Sequence, residues 1–295
     1  MASIRDVLNR IDVDLSGPNG SIISVNKELF GFHQSRVPAD PEGFETKVSL
    51  LEKIRSLQGK HIHLNILRVG HDQYSELDEN RLDFAIYRAH EIYAQKNLGI
   101  GRVLHFNMNR EKFKDYERLG YPTDNEASKR RSKKRAKEKS HELSRKVAID
   151  NDGIDMFVVL KIYGYLGRSP ICGPDEYQKE AHGKYGAKKA VIAGFIDRAD
   201  HTSGKRKKSD LGFARTFSHE LGHYLGLHHT CVADNTIFFN HPYNPTTLSP
   251  CTAEDRDNLM SQTGPAWEAR DSIILTDKQG KKIRKHGIVK NGIPK

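Results

Sequence analysis

His219-Glu220-Leu221-Gly222-His223-Tyr224-Leu225-Gly226-Leu227-His228-His229 decides more about this 295-residue chain than any other stretch. It has the form H-E-x-x-H followed by x-x-G-x-x-H. Residues four apart share one face of a helix, so His219 and His223 can bind the same metal ion. A helix that simply continued would carry its next side chains away from that ion. Gly226 can take the left-handed conformation that ends a helix and turns the chain sharply, which brings His229 back as a third ligand. Three protein ligands leave a fourth tetrahedral position open for water, the arrangement of a catalytic rather than a structural zinc. Glu220, beside the first histidine, has a carboxylate within reach of such a water and is the candidate general base. A bare H-E-x-x-H arises readily by chance in a solvated helix. The added glycine and third histidine at fixed offsets make coincidence roughly a hundredfold rarer, since each residue type makes up about a tenth or less of a chain. His228 adjoins His229, and the motif spacing selects His229.

The extended motif resembles the signature of the metzincin metalloproteases, which also carry a methionine-containing turn beneath the metal. Asp257-Asn258-Leu259-Met260-Ser261, downstream of His229, resembles that Met-turn, and the chain holds only four methionines. The resemblance implies that Met260 supports the histidines without binding the metal. Leu275-Thr276-Asp277-Lys278-Gln279 resembles the start of the C-terminal helix common in the clan, and Thr276 and Gln279 have the T-x-x-Q spacing of a capping box. Astacin-like, serralysin-like and pappalysin-like members usually place a tyrosine two residues after the methionine. Here that position is Gln262, so the tyrosine's role has no holder. Cys231, soon after His229, loosely resembles pappalysin-like and snapalysin-like proteins. Ser169-Pro170-Ile171-Cys172-Gly173-Pro174-Asp175 resembles the cysteine-switch segment of matrix metalloproteases. Because Cys172 falls inside the expected catalytic domain, a free structural thiol is preferred to a latency device.

The function these features imply is zinc-dependent hydrolysis of peptide bonds in a protein or peptide substrate. Zinc on His219, His223 and His229 would lower the pKa of a water and polarise the scissile carbonyl. Glu220 would take the water's proton and later deliver it to the leaving amine. By family analogy the substrate lies extended along an edge strand, by strand addition.

The rest of the chain is expected to alternate strands and helices. His61 to Val69 and Ile100 to Asn107 alternate as strands do. Ile154 to Tyr163 is a near-continuous apolar run, as in a strand covered on both faces, and Lys189 to Ile196 is another. Glu79 to Lys96 has helical spacing in Leu82, Ala85, Ile86, His90 and Tyr93. A second helix, N-capped by Asp210, runs from near Leu211 to Gly226 and buries Phe213, Phe217, Leu221 and Leu225. Taken with the resemblance, the fold class is α/β (α+β), metzincin-like. It comprises a mixed twisted sheet with a backing helix and a zinc-site helix above the cleft, and a loop-rich C-terminal subdomain with the Met-turn and C-terminal helix. The domain plan is an N-terminal extension or pro-segment over 1–60, an upper catalytic subdomain over 61–226 with a basic insertion at 126–147, and a lower subdomain over 227–295.

Hydrophobic residues make up 36% of the chain, compatible with a globular core, and no apolar run reaches the length of a transmembrane helix. Met1 to Gly17 lacks the hydrophobic region of a signal peptide. A cytoplasmic protein, export by a leaderless route and a trimmed sequence all remain open. Lys129 to Lys146 holds ten Lys and Arg against two Glu, a net +8; the whole chain is +10, which leaves +2 elsewhere. Such a stretch is a solvated loop or an exposed helix. Its sharper readings are an anionic partner (nucleic acid or membrane), a targeting signal, or an address for export machinery. Lys205-Arg206-Lys207-Lys208, before the zinc helix, would favour acidic residues in a substrate. Of the three cysteines, Cys231 and Cys251 flank a loop rich in Asn, Pro and Thr, where either a disulfide or two reduced thiols can stand. Two alternatives accompany the general protease. One is a self-processing or single-substrate effector or toxin protease. The other is a nucleic-acid-binding protein with a non-catalytic zinc site, against which the open coordination position and Glu220 both argue.

Overall fold

The computed structural model describes residues 24–27, 59–122, 125–147, 149, 152–163, 165–169, 190–194, 210–231, 250–252, 254–262 and 273–291. Cys172, the Lys205–Lys208 cluster, the loop between Cys231 and Cys251 and nearly all of residues 1–58 lie outside them. In chain order the strands are β1 (Ser24–Lys27), β2 (His61–Val69), β3 (Gly99–Met108), β4 (Arg118–Leu119), β5 (Ile154–Val159), β6 (Lys161–Ile162), β7 (Gly167–Arg168) and β8 (Ala190–Gly194). The helices are α1 (Glu76–Ala94), α2 (Arg110–Glu117), α3 (Glu126–Lys146), α4 (Asp210–Tyr224) and α5 (Asp277–Ile283), with single 3-10 turns at His71–Gln73 and Glu254–Asp257. One six-stranded sheet has the order β1-β3-β2-β5-β8-β7, and β4 pairs with β6 apart from it. β3, β2, β5 and β8 are mutually parallel, while β1 and β7 run antiparallel at the two edges.

Side-chain alternation explains why the parallel strands are buried on both faces. Ile62, Leu64 and Ile66 of β2 and Ile154, Met156 and Val158 of β5 join a core with Leu82, Ile86 and Tyr93 of α1 and Phe213, Phe217 and Leu221 of α4. Leu67, Val69, Phe157 and Val159 point the other way, against Phe113 and Tyr116 of α2 and Ala136 and Leu143 of α3. The first core also takes in Leu259, Met260, Ile273, Leu275 and Ile283, so the chain after the histidine motif packs into the same interior as the sheet. Main-chain hydrogen bonds between His61 and Lys290 return the C-terminal segment to the start of β2.

Several element boundaries differ from the sequence expectation. α1 begins at Glu76 rather than Glu79, because Ser75 and Asp78 close a capping box there. Asp210 is the first residue of α4, not its cap. The apolar run from Ile154 to Tyr163 forms two strands: the Leu160 amide bonds to the Glu117 carbonyl and diverts the chain onto β4. The basic segment is helix α3, and it is only partly solvated. Ser132, Ala136, Ser140, Leu143 and Ser144 form a buried seam of mostly small residues, with Lys139 and Lys146 over the ring of Tyr116. Among the described residues no helix is long and apolar enough to cross a membrane.

His105 on β3 is buried with both ring nitrogens lacking a hydrogen-bond partner among the described residues. Burial first, then the nearby Arg68 charge, lowers its pKa to about 3. The unfolded imidazole protonates below about pH 6.5 while the folded one stays neutral, so the unfolded state binds the extra proton and stability falls as pH drops from 6.5 towards 3. The expected slope from this group is about 1.4 kcal/mol per pH unit. Urea unfolding at pH 7 and pH 5 checks it: His105→Leu should lose less stability over that interval than the wild type.

Candidate metal centre

α4 carries the first two histidines and its end positions the third. The helix closes in a Schellman arrangement: the Gly226 amide bonds to the His223 carbonyl and the Leu227 amide to the Gly222 carbonyl, both at 2.9 Å. Gly226 has φ +94°, left-handed backbone that costs any other L-residue strain. The reversal folds His229 back over the helix. His229 Nε2 lies 3.1 Å from His219 Nε2 and 3.1 Å from His223 Nε2. His228 is not part of this cluster among the described residues.

The other ring nitrogens define the protonation pattern. His223 Nδ1 lies 2.8 Å from the Leu227 carbonyl oxygen and His219 Nδ1 lies 2.7 Å from that of Leu259. A carbonyl oxygen only accepts, so each Nδ1 carries the proton and each Nε2 presents its lone pair inward. Burial, and then the neighbouring imidazoles, push His219 well below its ordinary pKa and His223 to about 3. Burial and His228 bring His229 to about 4. All three rings are thus neutral at physiological pH, the form that ligates metals. Two nitrogens at about 2.0–2.1 Å from one zinc in tetrahedral geometry stand about 3.3 Å apart, close to the separations seen. The donor set therefore fits a divalent ion of this kind.

The turn Asn258–Ser261 underlies the cluster. Met260 is fully buried, and a Cβ added at Gly222 on α4 would meet its Sδ at 2.7 Å. Asn258 Oδ1 accepts from the Met260 amide at 2.9 Å, and the Asn258 side chain exchanges two hydrogen bonds with Gln279, each at 3.1 Å. Gln279 is also the third residue of the α5 capping box with Thr276. Arg215, one helical turn before His219, donates to the Asn258 carbonyl at 2.9 Å. The Thr230 amide bonds to the Met260 carbonyl at 3.1 Å, and a disulfide joins Cys231 to Cys251 with Cα atoms 4.8 Å apart. Gln262 follows the turn, its amide bonded to the Cys231 carbonyl.

Glu220 is buried on α4 beside edge strand β7. A Cβ at Gly167 would stand 2.8 Å from Glu220 Oε1, so only glycine lets the strand lie this close. The buried Tyr93 hydroxyl donates to the Ser218 carbonyl at 2.7 Å; burial and the Glu220 charge hold its pKa well above the ordinary value. Leu227, Leu259, Tyr93 and Gly167 contribute to the site without a motif of their own. Backbone acceptors have no residue-type signature, and only the neighbouring Gly226 and Met260 mark the two carbonyls in sequence.

Three imidazoles, two on a helix packed against the sheet and one just beyond its end, form a group that could hold a metal ion. Residues 80–230, just over half of the chain, match the model of metallo-peptidase family M12B, reprolysin-like. The chain belongs to that metallopeptidase family. No curated protein matches it.

Replacing Gly226 by Ala should cost about 1–2 kcal/mol and loosen the turn that returns His229. Chemical denaturation alongside metal content per chain measures both. An unchanged midpoint with full metal retention would show that the left-handed turn is dispensable.

Proposed function

We propose that this chain is a zinc endopeptidase of the metzincin type, with His219, His223 and His229 as ligands and Glu220 as general base. The observation that carries the proposal is the convergence of three imidazole nitrogens, two of them on the helix that also bears Glu220, in a chain of a metallopeptidase family. Three imidazole nitrogen donors favour zinc. When bound, zinc supplies Lewis acidity, acidifying a water and polarising the scissile carbonyl. Glu220 takes a proton from the attacking water and returns it to the departing amine. The substrate lies extended beside β7, the strand whose Gly167 packs directly against the Glu220 side chain. The Asn258–Ser261 turn acts as the Met-turn, supporting His219 from below. The upper and lower subdomains are 61–226 and 227–295, meeting at Gly226. The Cys231–Cys251 disulfide fits operation in an oxidising compartment.

Cleavage of an unfolded protein by zinc-loaded wild type and by Glu220→Gln tests this. Activity should fall about 10²–10⁴-fold in the variant with zinc content unchanged, and a chelator should abolish wild-type activity until zinc is restored. Following the chain itself for fragments distinguishes a general protease from a self-processing one. Equal cleavage by both forms would overturn the role of Glu220.

A further inference from the structure

β7 is an edge of the main sheet: Gly167 and Arg168 pair with β8 on one side, and no strand lies beyond them among the described residues. Successive strand residues point to opposite faces. Gly167 faces α4 and Glu220, so Arg168 faces the other side of the sheet, where α3 lies. Its guanidinium donates to Ser140 Oγ at 3.0 Å and approaches His141 Nε2 at 3.3 Å. Ser140 carries no charge, and the carboxylate whose charge acts on Arg168 among the described residues is that of Glu220.

One turn before His141, Lys137 is exposed on α3. Burial first, and then the Arg168 charge, push its pKa below the ordinary lysine value. Arg130, Arg131, Lys133 and Lys134 continue the exposed face. Glu138 and Glu142 answer Arg135 and Lys139 at 3.7 and 3.2 Å; the other five cations have no carboxylate partner among the described residues. Like charges gathered without a counterion leave a field that a bound anion relieves. The buried seam turns the less polar side of α3 inward, so its exposed face, charged apart from Ala127, has nothing to insert into a bilayer. The two glutamates interrupt the row in the half nearest β7, which suits spaced carboxylates better than a continuous phosphate backbone.

We propose that Arg168 and the exposed face of α3 form a recognition surface for acidic stretches of the protein substrate. In a chain added beside β7, side chains alternate between the Glu220 face and the α3 face, and those on the α3 face meet Arg168 and Lys137. The geometry rests on the peptidase reading for the path of the substrate, but binding can be tested without cleavage.

The zinc-loaded full chain carrying Glu220→Gln would be titrated by fluorescence anisotropy with three probes: a peptide with Glu at alternate positions, the same peptide with Gln or Lys there, and a DNA oligonucleotide of matched charge. The Glu peptide should bind about tenfold or more tighter than the Gln peptide at low salt, with the difference shrinking as salt rises. Lys133→Glu, Lys134→Glu and Lys137→Glu combined should invert the preference towards the Lys peptide, an outcome that misfolding cannot produce. In the otherwise wild-type enzyme the ratio of kcat/KM for Glu over Gln peptides should fall below one with the same triple change. Equal binding of Glu and Gln peptides overturns the proposal, as does DNA binding tighter than the Glu peptide, which would make α3 a nucleic-acid surface. Cleavage without preference would leave the peptidase standing and remove this surface; binding preference without any cleavage would do the reverse.

Discussion

Leu227 and Leu259 each present a carbonyl oxygen to the Nδ1 of a histidine, and the geometry of the centre depends on that pair of hydrogen bonds. They fix which nitrogen of each ring is protonated and prevent the rings from rotating. Neither carbonyl lies within the helix that carries the histidines. One belongs to the turn that ends it and the other to a turn brought in from far along the chain, so two separate backbone segments must be correctly placed before the imidazoles can converge.

The remainder of the fold meets that requirement. α4 packs against α1 and the sheet through Phe213, Phe217 and Leu221, Tyr93 of α1 bonds to its backbone at Ser218, and Arg215 draws the Asn258 carbonyl to the helix. Met260 and Leu259 are buried in the core that α4 shares with β2 and β5. Close packing of this kind leaves little freedom to shift one histidine without the others.

Most of the metal-site geometry was legible because its determinants are local. The i, i+4 spacing of His219 and His223, the Gly226 reversal and the Thr276–Gln279 cap are written in a few adjacent residues, and each forms in the structure. The strands were legible where apolar residues alternate or run continuously. What was not legible lies in contacts whose partners have no hydrophobic or titratable signature. The seam of α3 consists largely of serines and an alanine, so a search for apolar periodicity finds none, although Ser132, Ala136, Ser140 and Ser144 repeat every four residues. The break at Leu160 depends on a carbonyl from α2. The proximity of Arg168 to α3 follows from sheet order, which single-strand patterns do not encode.

Gln279 caps α5 and at the same time clasps Asn258 in the turn that holds His219. During synthesis the three histidines emerge well before this residue does. Until it arrives, the turn lacks one of its braces, and the centre assembles as one of the later events in the maturation of the nascent chain rather than with the helix that bears it.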